Sequence, residues 1–194
     1  WLWAKIFAEA ASVGYDRNSM YVACYDWRLS YPNLERRDRY FTRLKHEIEL
    51  LVKHNDEKVV LVGHSMGATL SFYFLNWCEA VDPGFSERHI HAFVSLGGSL
   101  LGAIGPLGNM LSGEMQATAA LSPINDLIDT YGKELTREMR REVGRKMGGL
   151  GSLLPKGGDA VWGEDVITLS SNETLGLDAI VPDLLAALGP HTGG

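Results

Sequence analysis

Cysteines are scarce in this chain, and acidic residues outnumber basic ones. Only two cysteines, Cys24 and Cys78, stand among 194 residues. Their number is too low for a disulfide scaffold and their spacing does not match a metal site, so we expect two buried free thiols. The 24 acidic against 18 basic residues give a formal charge of −6. A chain of this charge has no broad attraction for a nucleic acid backbone, which argues against a nucleic acid partner.

Long apolar runs and an N-terminal leader pattern are also missing. No run approaches the ~18 apolar residues that a membrane-spanning helix needs. The N-terminus lacks a basic stretch followed by an apolar core and a cleavage site. The chain begins at Trp1 inside a helical pattern and ends in a tail of glycine, proline, histidine and threonine. We therefore expect a segment of a longer protein.

The overall composition is that of a folded globular protein. Hydrophobic residues make up 45% and charged residues 22% of the chain, which argues against disorder. One Asn-x-Thr triplet, at residues 172–174, fits a protein of the secretory lumen. Such a triplet also arises by chance about once in a chain of this length, so it changes the expected compartment only slightly.

The first hundred residues alternate between strand and helix patterns. Apolar residues at helical spacing predict helices at residues 1–12, 34–54 and 68–80. β-prone runs predict strands at residues 20–25, 58–62 and 91–96, and the continuous apolar run at 58–62 is typical of a strand buried on both faces. This order predicts an α/β fold with a mainly parallel sheet and flanking helices.

The pattern changes after Gly102. Nine glycines lie within residues 102–151, a charged helix is predicted near 133–146, and the next strand is predicted at about 166–169. The glycine-rich residues 96–108 lack the Gly-Lys-Ser/Thr ending of a phosphate-binding loop, so we interpret them as a lid hinge or a substrate-channel loop. We predict a partial core at residues 1–101, a cap or lid at 102–165, and a return toward the core with a tail at 166–194.

The pentapeptide GHSMG at residues 63–67 matches Gly-x-Ser-x-Gly, the nucleophile elbow of the α/β-hydrolase fold. Its context is the required one, because a predicted strand ends at Gly63 and a predicted helix starts just after the motif. We therefore predict that Ser65 is the nucleophile, in a strained turn between strand and helix. The backbone N–H of Met66, at the positive end of that helix, is the predicted oxyanion donor.

A serine hydroxyl needs a histidine base and a carboxylate, which follow it in the order Ser, Asp or Glu, His. His89 and His91 come too early for that order, and His64 within the motif is expected to pack beside the turn. His191 has the right position but lies in the tail, after three candidate carboxylates: Asp165, Asp178 and Asp183. These alternatives stay open here, although we expect the triad Asp and His to lie outside this chain.

Six segments carry a family resemblance that covers nearly the whole chain. They are YDWRLSY at 25–31, ERRDRYFTRLKHEIEL at 35–50, VVLVGHSMG at 59–67, FYFLNWCEA at 72–80, LLGA with LSGEM within 100–115, and SLLPKGGDAVWG at 152–163. Together they resemble the lecithin:cholesterol acyltransferase family, and most closely its phospholipid:diacylglycerol acyltransferase branch. The resemblance implies a partial α/β-hydrolase fold with the nucleophile at Ser65 and the oxyanion amide at Met66.

The resemblance also implies an activity. For the complete enzyme, the resemblance implies that Ser65 attacks a phospholipid acyl ester, releases a lysophospholipid and forms an acyl-enzyme, and that the acyl group then passes to diacylglycerol to give triacylglycerol. The implied partners are the phospholipid donor, the diacylglycerol acceptor and a membrane surface, and no metal or nucleotide cofactor is implied. The implied location is the lumenal side of the endoplasmic reticulum membrane, with the anchor outside this chain.

Two competing functions remain at this point. A lipase or phospholipase would form the same acyl-enzyme and let water attack it. A catalytically inactive lipid-binding module would keep the fold without the triad. The element at residues 26–28 (DWR) likewise has two interpretations, an ion pair that braces a loop or a contact with substrate.

Overall fold

The computed structural model describes residues 2–113 and 136–188. Their helices and strands fall into two compact units, Trp1–Asp26 with Leu34–Gly97, and Trp27–Asn33 with Gly98–Gly194. In chain order the elements are α1 (Leu2–Ser12), α2 (Tyr31–Asp38), α3 (Tyr40–Asn55), β1 (Val59–His64), α4 (Met66–Val81), α5 (Phe85–His89), β2 (Ile90–Leu96), α6 (Ile104–Ser112), α7 (Arg137–Lys146), α8 (Gly148–Ser152), α9 (Gly158–Trp162), β3 (Ile167–Thr168), β4 (Thr174–Leu175) and α10 (Leu177–Leu188). Helices combined with a parallel strand pair confirm the α/β class.

The first unit is built around one parallel strand pair. β1 and β2 run side by side, with Val60 opposite Ala92 and His64 opposite Leu96. α4 connects the two strands through α5 and packs mainly on β1. Fully buried aromatic side chains from α3, α4 and α5 form the core beside the sheet: Phe41, Phe74 and Phe85. The predicted order of strand, helix and strand is therefore confirmed for this part of the chain.

The prediction that β1 is buried on both faces is wrong. Val60 and Val62 on β1 are 47% and 38% exposed, and Val94 on β2 is 39% exposed. Side chains alternate along a strand, so these valines share the face opposite to Leu61 and Phe93. α3 and α4 contact β1, and none of the described elements of the first unit covers the face that carries the three valines.

Two more predictions fail in the segment before β1. Residues 20–25, predicted as a strand, form no ladder with any described strand, and the Cys24 N–H instead bonds to the Val22 carbonyl at 3.1 Å. The helix predicted at 34–54 is two helices, because Arg39 between them has a left-handed backbone with φ 52°. The Glu35 carboxylate accepts the Phe41 and Thr42 N–H groups at 2.9 and 3.0 Å, which starts α3 anew.

The second unit has its own apolar core, formed by Leu107, Met110, Leu154, Leu177, Ile180 and Leu184. Within the glycine-rich stretch 96–108, interpreted above as a loop, Ile104 already begins α6, because burying Leu107 and Met110 favours a helix there. The predicted strand near 166–169 is only the two-residue strand β3, which pairs antiparallel with the equally short β4. The charged helix predicted near 133–146 is α7, and residues 133–135 lie outside the described residues.

The assignment of residues 102–165 to a cap or lid stays a prediction, because the structure groups the described part of this stretch with residues 27–33 and the rest of the second unit and shows nothing about what it covers. Across residues 2–113 and 136–188, no helix combines the length and the apolar character required to cross a bilayer.

Candidate active site

Ser65 lies at a one-residue turn between a strand and a helix. β1 ends at His64 and α4 begins at Met66. The Ser65 backbone has φ 52° and ψ −122°, a combination that side-chain-bearing residues rarely adopt. The predicted sharp turn and strained backbone are therefore confirmed. A conformation of this kind persists only where the surrounding structure holds it in place.

Three backbone hydrogen bonds hold the turn. The Ser65 N–H donates to the carbonyl of Leu96, the last residue of β2, at 3.0 Å, which extends the hydrogen bonding between the strands one residue past the end of β1. The Ser65 carbonyl accepts the N–H groups of Ala68 at 3.0 Å and Thr69 at 3.5 Å, which closes the first turn of α4. Both sides of the Ser65 peptide are thus engaged, so the side chain is fixed in direction by the sheet and the helix together.

The two motif glycines play unequal steric roles. A β-carbon on Gly63 would lie 2.5 Å from the Ala68 Cα and 2.7 Å from its nitrogen, well short of the van der Waals contact distance to the helix backbone. A β-carbon on Gly67 would meet only the Tyr25 hydroxyl, at 3.9 Å. Gly63 therefore allows α4 to fold back against β1, whereas the position of Gly67 tolerates a side chain.

The start of α4 presents free backbone donors beside Ser65. The first N–H groups of a helix have no acceptor within it. Ala68 and Thr69 bond to Ser65, and in the part of the chain that the structure describes the Met66 and Gly67 N–H groups have no acceptor. They lie at the positive end of the α4 dipole. Ser65 and Met66 are half-buried, so the site is open enough for a substrate atom to approach these donors.

Three of the candidate histidines lie within the described residues, and none of them is placed to act as the base for Ser65. His89 ends α5, where its Nδ1 lies 3.0 Å from the Phe85 carbonyl oxygen and its ring stacks on Phe85. His91 is five residues before the end of β2, about 16 Å along the strand from the edge where Ser65 lies. His64 ends β1 opposite Leu96. Within the described residues the Ser65 hydroxyl makes no hydrogen bond to a histidine.

His191 lies outside the described residues, so its predicted separation from Ser65 stays a prediction. Of the three aspartates that precede it, two take part in local hydrogen bonds and the third is exposed. Asp165 accepts the Thr174 hydroxyl at 2.6 Å, and the Asp178 N–H in the first turn of α10 donates to Asp159 at 3.1 Å. Asp183 is exposed on α10. No complete triad forms among residues 2–113 and 136–188.

The DWR element supplies a brace. Asp26 lies 3.0 Å from the Arg37 guanidinium, which also bonds to Asp38 at 2.7 Å. These bonds stabilise the charged forms and hold the pKa of Asp38 below its ordinary value. The ion-pair interpretation of Asp26 is therefore confirmed, while Trp27 remains half exposed and a substrate contact stays a prediction.

A small cavity of about 240 Å³ lies elsewhere in the first unit, and Ser65 is not among its lining residues. It is lined by residues 21–24 together with Tyr40, Arg43 and Leu44. Burial raises the pKa of Tyr40, so its hydroxyl stays protonated. No acid–base pair faces this cavity, so the motif turn, and not the cavity, is the candidate site. The described residues also contain no cluster of His, Cys, Asp and Glu that would hold a metal ion.

Sequence reasoning missed one residue of this site. The Leu96 carbonyl, which accepts the Ser65 N–H, belongs to the next strand. The glycine pair that follows it, Gly97 and Gly98, marks a strand end at the same sheet edge. That pattern was the available signal for a contact between the two strand ends.

Comparison with known proteins identifies relatives of this chain by sequence. The profile of the lecithin:cholesterol acyltransferase family matches residues 1–177. The phospholipid:diacylglycerol acyltransferase of Schizosaccharomyces pombe is 45% identical over 170 residues, 84% of this chain and 26% of the relative. The Saccharomyces cerevisiae enzyme of that name is 43% identical over 173 residues, again 84% and 26%. A mouse protein named lysosomal phospholipase A and acyltransferase is 36% identical over 102 residues, 53% of this chain and 23% of that protein. The chain thus spans about a quarter of the length of these relatives.

Proposed function

The chain belongs to the lecithin:cholesterol acyltransferase family, and on that premise we propose that it carries the nucleophile of a phospholipid:diacylglycerol acyltransferase, with Ser65 as the attacking residue. The observation that carries the proposal is the strained Ser65 turn, which presents one hydroxyl beside the unbonded N–H groups of α4. The names of the fungal relatives, at 43% and 45% identity, support the choice of reaction.

In the first half of the proposed reaction, the Ser65 Oγ attacks the carbonyl carbon of a phospholipid acyl ester. A base takes the hydroxyl proton, the ester C–O bond breaks, and the lysophospholipid leaves with a proton. Ser65 then holds the acyl group as an ester. In the second half, the free hydroxyl of diacylglycerol attacks this ester, and triacylglycerol leaves as the Ser65 hydroxyl is restored.

The Met66 N–H is the proposed stabiliser of the oxyanion in both halves. Negative charge develops on the substrate carbonyl oxygen in each tetrahedral intermediate, and a preorganised N–H lowers the energy of that charge. The Met66 N–H lies at the positive end of α4, and its position is fixed by the Ser65–Leu96 hydrogen bond one residue earlier. The side chain of Met66 has no part in this role.

The proposed base and its carboxylate lie outside the described residues. His89 is held by Phe85, and His91 lies toward the opposite end of β2. The acyl donor is already an ester, so the transfer needs no nucleotide to activate it. We place the reaction at a membrane surface on the lumenal side of the endoplasmic reticulum, where both lipid substrates of such an enzyme would reside.

Hydrolysis is the second candidate reaction. The name of the mouse relative joins a phospholipase with an acyltransferase, and water can replace the acceptor alcohol at the same acyl-enzyme. A lid that excludes water favours transfer, and the part of the chain proposed as a lid is residues 102–165. The partition between free fatty acid and triacylglycerol distinguishes the two reactions.

The test is Ser65→Ala in the full-length protein that contains this chain. The substitution removes the attacking oxygen, and the Ser65 hydroxyl has no buried partner that would be left unsatisfied, so the fold is retained. We expect formation of triacylglycerol from labelled phospholipid to fall by a factor of about 10³ or more, with an unchanged thermal melt.

Ser71→Ala is the matched control. Ser71 lies on the same helix and donates to the Gly67 carbonyl at 2.8 Å, a bond that α4 does not need for its own ladder. This variant keeps its activity. A folded Ser65→Ala protein that retains acyl transfer would exclude Ser65 as the nucleophile. Free fatty acid as the main product of the parent would instead favour hydrolysis.

A further inference from the structure

One exposed turn in the second unit carries a chemical signature that acyl transfer does not use. Residues 172–174 (NET) are the only Asn-x-Ser/Thr triplet in the chain. The acyltransferase proposal assigns no role to this triplet. Its place in the structure determines whether the asparagine can act as an acceptor.

Asn172 stands at the tip of the hairpin that joins β3 and β4. Its N–H donates to the Leu169 carbonyl at 2.9 Å, and the Leu169 N–H donates to the Glu173 carbonyl at 2.8 Å, so the turn is closed by two backbone bonds. The Asn172 backbone is left-handed, with φ 64°, which asparagine tolerates better than most residues. Residues 168–174 are all exposed.

The Asn172 carboxamide is available for chemistry. It makes no hydrogen bond within the described residues, whereas the amides of Asn55 and Asn76 donate to backbone carbonyls of their own helices. The Thr174 hydroxyl, the second essential group of the triplet, points to Asp165 at the base of the hairpin, also at the surface. A bulky polar group on Asn172 would therefore extend into solvent and displace no packed side chain.

We propose that Asn172 is an N-glycosylation site, modified when this part of the protein enters the lumen of the endoplasmic reticulum. The donor class is an oligosaccharide carried on a lipid pyrophosphate. The Asn172 amide nitrogen forms a bond to the anomeric carbon of the first sugar and loses one proton. The bond between that carbon and the pyrophosphate oxygen breaks, and the lipid pyrophosphate leaves with the electron pair.

The experiment uses the full-length protein, purified from a eukaryotic cell and digested to peptides before and after treatment with a peptide N-glycosidase. We expect the peptide that contains Asn172 to carry glycan, and the enzyme to convert that residue to aspartate. In Asn172→Asp the acceptor is absent, so we expect the protein to migrate faster on an electrophoresis gel by the mass of one glycan. This variant keeps a residue that tolerates a left-handed backbone, so loss of folding does not explain its result.

Thr174→Ser is the positive control, because it keeps the hydroxyl that the triplet needs and the bond to Asp165. It retains the glycan, and Thr174→Ala loses it. The same measurements on a Ser65→Ala background give the same result, so failure of the proposed acyl transfer and failure of this proposal are distinguishable. An unmodified Asn172 peptide in protein shown by protease protection to lie in the lumen overturns the proposal.

Discussion

At the residue scale, the site depends on a position where a side chain is forbidden as much as on Ser65. The absence of a Gly63 side chain lets α4 approach the end of β1, since a β-carbon there would lie 2.5 Å from the Ala68 Cα. The opposing atoms belong to the helix backbone, which cannot move without displacing Ser65 and the N–H groups beside it. The geometry of the nucleophile is thus inseparable from Gly63.

This asymmetry gives a direct prediction for the two motif glycines. Gly63→Ala destabilises the protein by about 1–3 kcal/mol through overpacking and lowers acyl transfer sharply. Gly67→Ala changes the free energy of unfolding by no more than ~1 kcal/mol, in the stabilising direction, because alanine is the better helix former and its β-carbon meets only the Tyr25 hydroxyl. Chemical denaturation and transfer assays on both variants measure this. Equal effects of the two substitutions would contradict the steric argument.

The two cysteines differ, contrary to the expectation that both are buried. Cys78 is fully buried in α4, but Cys24 is exposed because residues 20–25 form no strand within the sheet. Burial raises the pKa of Cys78 to about 12. At pH 8 only about one Cys78 in ten thousand is then a thiolate, the reactive form.

We therefore predict selective alkylation. In the native full-length protein at pH 8, iodoacetamide modifies Cys24 within minutes and leaves Cys78 unmodified, as measured by peptide mass. In denaturant both residues react. Fast native alkylation of Cys78 would show that α4 opens from the core more easily than its burial indicates.

At the scale of elements, the Glu35 carboxylate caps α3, the second of the two helices found where the sequence predicts one helix. α2 ends at Asp38, Arg39 turns left-handed, and Glu35 receives the free N–H groups of Phe41 and Thr42 together with the Thr42 hydroxyl at 2.5 Å. Glu35 thus serves as the cap of a helix that begins five residues after it. The Asp26–Arg37 ion pair ties α2 to the preceding segment.

We expect Glu35→Ala to lower the free energy of unfolding by about 0.5–2 kcal/mol, the usual cost of a lost helix cap. Glu57→Ala is the control, since Glu57 is exposed in the loop between α3 and β1 and makes no described side-chain bond. Chemical denaturation of the two variants and the parent gives the values. If both variants lose the same stability, the capping role of Glu35 is excluded.

At the scale of the whole molecule, the described elements of the first unit cover only one face of the β1–β2 sheet. Val60, Val62 and Val94 form an exposed apolar stripe across β1 and β2. Two strands alone are marginal in water, and their stability here comes from the helices packed on the opposite face. An apolar sheet face of this kind, next to strand edges, is prone to pair with other apolar surfaces.

Expressed by itself, the 194-residue chain is therefore predicted to bind an apolar dye such as anilinonaphthalene sulfonate and to self-associate. Replacing the three valines by threonine lowers both signals. Threonine retains the preference for strands, so the sheet on which the helices pack is kept and the helical circular dichroism is unchanged. Val81→Thr, at the end of α4, changes neither signal, since Val81 is exposed outside the sheet. Unchanged dye binding in the triple variant would show that the three valines do not form the surface that binds the dye.

Local patterns in the sequence determined the strand, turn and helix around Ser65. Each of these depends on neighbours in the chain: the apolar run of β1, the glycine that relieves the clash, and the apolar spacing along α4. The limits of α1, α4 and β2 could be predicted within about two residues for the same reason. The candidate nucleophile was available from these patterns alone.

Only the tertiary structure decided what depends on distant partners. Residues 20–25 have strand propensity but no ladder partner, and β3 pairs with β4 across a turn instead of extending the parallel pair. The break at Arg39 follows from where the Glu35 side chain reaches. The exposure of Val60 follows from which face the helices cover, and the Ser65 turn is held by a carbonyl of the neighbouring strand. A hydrogen-bond partner or a covered face is a property of residues far apart in the chain, so local pattern cannot specify it.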